Sequence, residues 1–143
     1  MKPLFYFLIL SSFVFTSCQD MADEDDYNNL ANDLCDCVNK STNSVSNDMK
    51  NALIQGINSG QSMDDVMAKM GEENVMQTMK DAEVLMDAGP KIETCVKSLE
   101  KKYDKIYTKE SDKEVLNRLM KTLEKNKSCE WTYALMKLGM QVQ

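Results

Sequence analysis

YNNLANDLCDCV, residues 27–38, decides how the rest of this chain is read. Tyr27, Leu30, Ala31, Leu34 and Val38 recur at steps of three and four, the period of a helix with one apolar face. At about 100° per residue, Cys35 falls roughly 80° to one side of that face and Cys37 roughly 80° to the other. The two thiols point apart, so a bond between them would break the helix. The stretch therefore predicts a central helix able to clasp two different neighbours.

Two further cysteines lie downstream, Cys95 and Cys129, and one upstream, Cys18. If the chain is exported, Cys35, Cys37, Cys95 and Cys129 form an even set that points to two disulfides. Helical geometry then sends Cys35 and Cys37 each to one of Cys95 and Cys129, with the assignment left open. Zinc ligands usually stand two to four residues apart in each half-site, and Cys95 and Cys129 are isolated in sequence. A catalytic thiol pair more often takes the C-x-x-C form in an α/β setting, which is missing here.

The evidence for export is at the start of the chain. Lys2 is followed by a run from Leu4 to Phe15 that is apolar apart from Ser11 and Ser12, then by Thr16, Ser17 and Cys18. A core of about a dozen residues suits a cleavable secretory signal, since a membrane-spanning helix needs about 20. Phe15-Thr16-Ser17-Cys18 resembles the lipobox of bacterial lipoproteins, with Phe15 where Leu is usual. That resemblance implies a signal peptide over residues 1–17, a covalent lipid such as palmitate on Cys18, and a membrane anchor in the cell envelope. Ordinary secretion and an uncleaved anchor are the competing readings.

The acidic stretch from Gln19 to Asp26 is similar to the segment that follows the lipidated cysteine in Bacteroidota surface lipoproteins. The resemblance implies an outer-membrane location, periplasmic or surface-facing, with residues 18–26 as lipidated cysteine and tether. Residues 27–143 then form a single helical domain, a size that supports one core.

Several helices follow the first. Ser41-Thr42-Asn43-Ser44 is weak helix material, but Val45, Met49, Leu53 and Ile57 continue the stripe, so one long helix to about Gln55, ending at Gly56, is expected. Ser62 with Asp65 caps a short helix closed by Gly71. Glu72 and Glu73 open the next, with Val75, Met76, Met79, Ala82, Leu85 and Met86 inward and Gly89-Pro90 as its stop. A helix from Pro90 carries Ile92, Cys95, Val96, Leu99, Tyr103, Ile106 and Tyr107. Ser111 with Glu114 caps another, and a last one runs from Cys129 to about Gly139. With no strand signal, the fold class is all-α, a compact bundle of five or six helices.

Charge and composition narrow the function. Losing Lys2 with the signal leaves 16 basic and 23 acidic residues, a formal charge of −7 that disfavours nucleic acid. Residues 19–90 hold 15 acidic and 4 basic side chains, and residues 91–143 hold 8 and 12. Packing of two oppositely charged parts accounts for this split; lysines facing an anionic envelope surface are the alternative. The chain has no histidine, hence neither the commonest general base nor the commonest transition-metal ligand.

Other chemistry is better explained by packing and capping. Met63, Met67 and Met70 share a face that would suit a soft metal but also suits a core. Asp64-Asp65 and Glu72-Glu73 sit where acids stabilise helix N-termini, and neighbours on a helix do not face one another as an acid–base pair must. Trp131 and Tyr133 read as core beside a disulfide before they read as a binding patch.

No catalytic residue, metal ligand or cofactor other than the lipid on Cys18 is expected. The expected role is binding or structural support in the envelope, with a membrane partner through the anchor and a possible protein partner. The alternatives are a carrier of a soft metal or apolar molecule in a Met-rich cleft, and an envelope immunity or inhibitor protein.

Overall fold

Tyr27, Leu30, Ala31, Leu34 and Val38 are all buried, as their spacing predicts, on α1 (Glu24–Ser41) of a computed structural model that describes residues 22–141. The proposed signal and Cys18 lie outside the described residues. Asp23 and Asp26 form a capping box: the Asp26 N–H donates to Asp23 Oδ1 at 2.8 Å, and the Asp23 N–H to Asp26 Oδ2 at 3.2 Å. Glu24, Asp25 and Asp26 fill the first turn, where the helix dipole favours negative charge. This corrects the expected extent of the tether, because residues 23–26 are the start of the helix.

Ala22 is buried, and its carbonyl accepts from Arg118 Nη2 at 2.8 Å. The same guanidinium donates to Glu110 at 2.6 Å and lies 4.1 Å from the centroid of the Tyr27 ring. Tyr27 donates its phenol proton to Glu110 at 2.8 Å. Burial, then the Glu110 carboxylate, pushes the Tyr27 hydroxyl well above the ordinary tyrosine range.

The expected long first helix is two helices, α1 and α2 (Asn47–Asn58). Thr42 ends α1 by donating both its N–H and its hydroxyl to the Val38 carbonyl, at 2.9 and 2.7 Å. Ser46 caps α2, and a carboxylate from a distant helix fixes the corner. Asp81 accepts from the Ser46 N–H at 2.9 Å and from its hydroxyl at 2.5 Å. α2 runs past Gly56 into a turn with Gly60 at φ +78. Gly56 is instead a contact point, where an added Cβ would come within 2.3 Å of Val66 Cγ2 on α3 (Met63–Glu73).

α3 also outruns its expected stop at Gly71. Glu72 and Glu73 end this helix and do not begin the next; Asn74 closes α3 and caps α4 (Val75–Lys102), accepting from the Gln77 N–H at 3.2 Å.

α4 continues through Gly89-Pro90, where a stop was expected. An interior proline costs about 3 kcal/mol, in part because the carbonyl four residues earlier loses its donor. Here that carbonyl belongs to Met86, and Met86, Gly89 and Pro90 are all exposed, so water can serve it. Ala88 and Leu99 are buried on either side, and packing carries the helix across.

The inward face of α4 also differs from expectation. Val75, Met76, Met79 and Met86 are exposed, while Thr78, Asp81 and Ala88 are buried. Asp81 faces inward to hold Ser46, and at about 100° per residue Met76, Met79 and Met86 then lie on the opposite, outer side of α4.

α4 ends at Lys102, short of Tyr107, and Tyr103 separates it from the short α5 (Asp104–Lys109). Tyr103 and Lys102 both donate to Asp33 on α1, each at 2.6 Å. The Ser111/Glu114 capping box opens α6 (Asp112–Lys125) as expected. A 3-10 turn over Lys127–Cys129 leads into α7 (Glu130–Gln141).

The seven α-helices among the described residues, one or two more than expected, form an all-α bundle around α1. The Thr42 corner and the Tyr103 break each add a helix, and the continuation through Pro90 removes one. α4 runs antiparallel to α1, pairing Asp81 with Ser46, Cys95 with Cys37 and Lys102 with Asp33. α6 and α7 pack on another side of α1, and α2 and α3 connect α7 to α4. Two disulfides are present, Cys35–Cys129 with Cα atoms 5.4 Å apart and Cys37–Cys95 at 6.4 Å, which decides the open connectivity. Lys102–Asp33 and Lys105–Asp26 join the basic second part of the chain to the acidic first part.

Candidate functional site: an apolar cleft

α1 touches α4 along one side and α6 and α7 along another, but α4 does not pack closely on α6 or α7. The gap between them is a cleft of about 640 Å³, within the usual range for small-molecule sites. Leu30, Leu34, Val38 and Thr42 of α1 form its floor, spanning roughly 18 Å at 1.5 Å per residue. One wall is Leu85, Ala88, Ile92 and Val96 of α4. The opposite wall is Val115 and Leu119 of α6 with Leu135 and Leu138 of α7.

Small residues keep the space open. Gly89 on α4 and Gly139 on α7 both line the cleft, and a Cβ built at either meets nothing within 4 Å. Both glycines are exposed, as are Glu100 and Asp112 in the lining, so the cleft reaches solvent.

Each disulfide holds one wall to the floor. Cys37–Cys95 ties α4 to α1, and Cys35–Cys129 ties the turn that leads into α7. The cysteines act as staples in this structure, and their placement keeps the walls at a fixed separation.

Polar groups stand at the two ends. At the end nearer the C-terminus of α1, Thr42 accepts from the Trp131 indole N–H at 2.9 Å, and Thr132 lines the cleft beside it in sequence. The Thr132 hydroxyl is buried without a hydrogen-bond partner, the one such side-chain atom among the described residues. At the other end are Glu100, Tyr107 and Asp112. Burial pushes the Tyr107 hydroxyl above its ordinary range, and the charges of Glu100 and Asp112 raise it further.

No known protein family, curated protein or solved structure matches this chain.

The remaining sequence-predicted candidates lie elsewhere or have other partners. Met63, Met67 and Met70 are half-buried against the core, and of the described methionines only Met63 and Met136 line the cleft, which is aliphatic and not Met-rich. Asp64 and Asp65 occupy the first turn of α3, with Asp65 bonded to Ser62. Trp131 is buried two residues after Cys129, as core. Among the described residues, no group of His, Cys, Asp or Glu is placed to hold a metal ion, and no helix is long and apolar enough to cross a membrane.

Sequence reasoning missed the cleft because it ended a helix at Pro90. Leu85, Ala88, Ile92 and Val96 form one stripe only if the helix continues. Thr132, polar between Trp131 and Ala134 on a buried face, was a legible signal of its own.

Proposed function

We propose that this protein is an acyl-anchored lipoprotein of the bacterial envelope, held through Cys18, that binds an elongated apolar molecule and does no chemistry on it. The observation that carries this reading is the aliphatic cleft, open to solvent and braced on both sides by disulfides. Its shape favours the carrier reading over purely structural support, and its lining favours an apolar ligand over a soft metal. The exposed methionine face of α4 favours, as a second reading, a protein partner at that surface.

The buried core falls between Ala22 and Leu138, so the unacylated mature chain, exported behind an ordinary secretion signal to form its disulfides, is suited to the test. An uncharged naphthylamine dye should brighten on binding to it with saturable, one-site behaviour. Gly89→Leu and Gly139→Phe should each weaken that binding at least tenfold. Gly139→Phe should not lower thermal stability, since a Cβ there meets nothing within 4 Å and an interior helical glycine is replaced. Gly89→Leu should cost some stability, because the Pro90 ring crowds a side chain on the residue before it. Dye binding unchanged in both variants would remove the cleft from consideration. Mass spectrometry of the membrane-extracted protein should find the acyl groups on Cys18; a mature chain without them would refute the anchor.

A further inference from the structure

Resting on the cleft reading, we infer that the ligand is a single-chain amphiphile whose head is cationic, a long-chain amine in chemical class, and that fatty carboxylates are excluded.

The length of the floor sets the chain. About 18 Å at the roughly 1.2 Å per bond of an extended backbone corresponds to about 15 bonds, a chain of about 16 carbons. Only one end of the cleft carries charge, and both charges there are negative, Glu100 from α4 and Asp112 from α6. Tyr107 stands with them, its hydroxyl raised by burial and then by both carboxylates; the cation whose charge Glu100 meets is the exposed Lys97, which does not line the cleft. The first turn of α6 would ordinarily attract an anion. It already carries Asp112 and Glu114, with Glu114 and Ser111 closed into a capping box. A carboxylate head would face two like charges at the mouth, whereas an ammonium would meet two carboxylates and a phenol oxygen. At the opposite end, the unpartnered Thr132 hydroxyl offers one hydrogen bond to a polar group on the tail. A saturated tail leaves it unused.

Three diazirine-bearing sixteen-carbon probes, an amine, an alcohol and a carboxylate, would be photo-crosslinked to the unacylated mature chain and the labelled residues mapped by mass spectrometry. The amine should label the cleft segments of α1, α4 and α7 at least tenfold more efficiently than the carboxylate, with the alcohol between them. In the Glu100→Gln/Asp112→Asn variant, both changes at exposed positions, that ratio should fall to about one. Gly139→Phe should remove cleft labelling by all three, which separates it from attraction to the acidic surface at large. A carboxylate that labels as well as the amine overturns the head-group assignment and leaves the cleft reading standing. A preference that survives the double variant overturns the assignment to Glu100 and Asp112. Absence of cleft labelling by every probe overturns the cleft reading itself.

Discussion

Replacing Cys37 and Cys95 together by serine is expected to lower stability by about 4 kcal/mol, and replacing Cys35 and Cys129 by about 4.5 kcal/mol. The chain-entropy model gives these values for loops of 58 and 94 residues. A whole domain is typically stable by only about 5–15 kcal/mol, so losing both should leave the chain largely unfolded. Urea melts with and without reductant would measure it, and an unchanged midpoint under full reduction would contradict it. The two bonds should also differ in order of loss. Cys35 and Cys129 are both buried, whereas Cys95 is partly exposed and borders a shallow hollow, so an incoming thiolate reaches it more readily. Mild reductant should open Cys37–Cys95 first. Dye binding should then decline before helical content does, because the freed helix is a wall of the cleft.

The second large effect belongs to Asp81. It is fully buried, and no salt bridge among the described residues reaches it. It is held by the Ser46 N–H, the Ser46 hydroxyl and the Gln77 amide, the last at 3.1 Å. Asp81→Ala strands three donors, and about 3 kcal/mol of destabilisation is expected, with a fall in melting temperature of about 10 °C. Asp81→Asn keeps an acceptor and should cost less. Ser46→Ala combined with Asp81→Ala should cost less than the sum of the two alone, since both remove the same contact. A loss within about 0.5 kcal/mol for Asp81→Ala would show that α4 is positioned by its apolar contacts alone.

What could be read from the residues, and what could not, follows from the range of the forces involved. The face of α1 was legible because one local period set it, and the opposed directions of Cys35 and Cys37 followed from helix geometry. Ser62/Asp65 and Ser111/Glu114 were legible as caps because each is a contact three residues long. The corner after Thr42 and the rotation of α4 were not. Both depend on Asp81 meeting Ser46 from 35 residues away, a contact that no local pattern announces. Local preference also misjudged Pro90, where burial on both flanks outweighs one missing hydrogen bond. The cleft was hidden for the same reason, since it is a gap between elements brought together only by the fold.

The rotation of α4 that places Asp81 inward also has a chemical consequence. Peroxide and hypohalous acids convert accessible thioethers to sulfoxides, which inside a core would insert a polar group among aliphatic neighbours. Met76, Met79 and Met86 stand in solvent, whereas Met49 is sealed in the interior. Oxidation of the described residues should therefore fall on Met76, Met79 and Met86, where a sulfoxide disturbs no packing, before it reaches Met49.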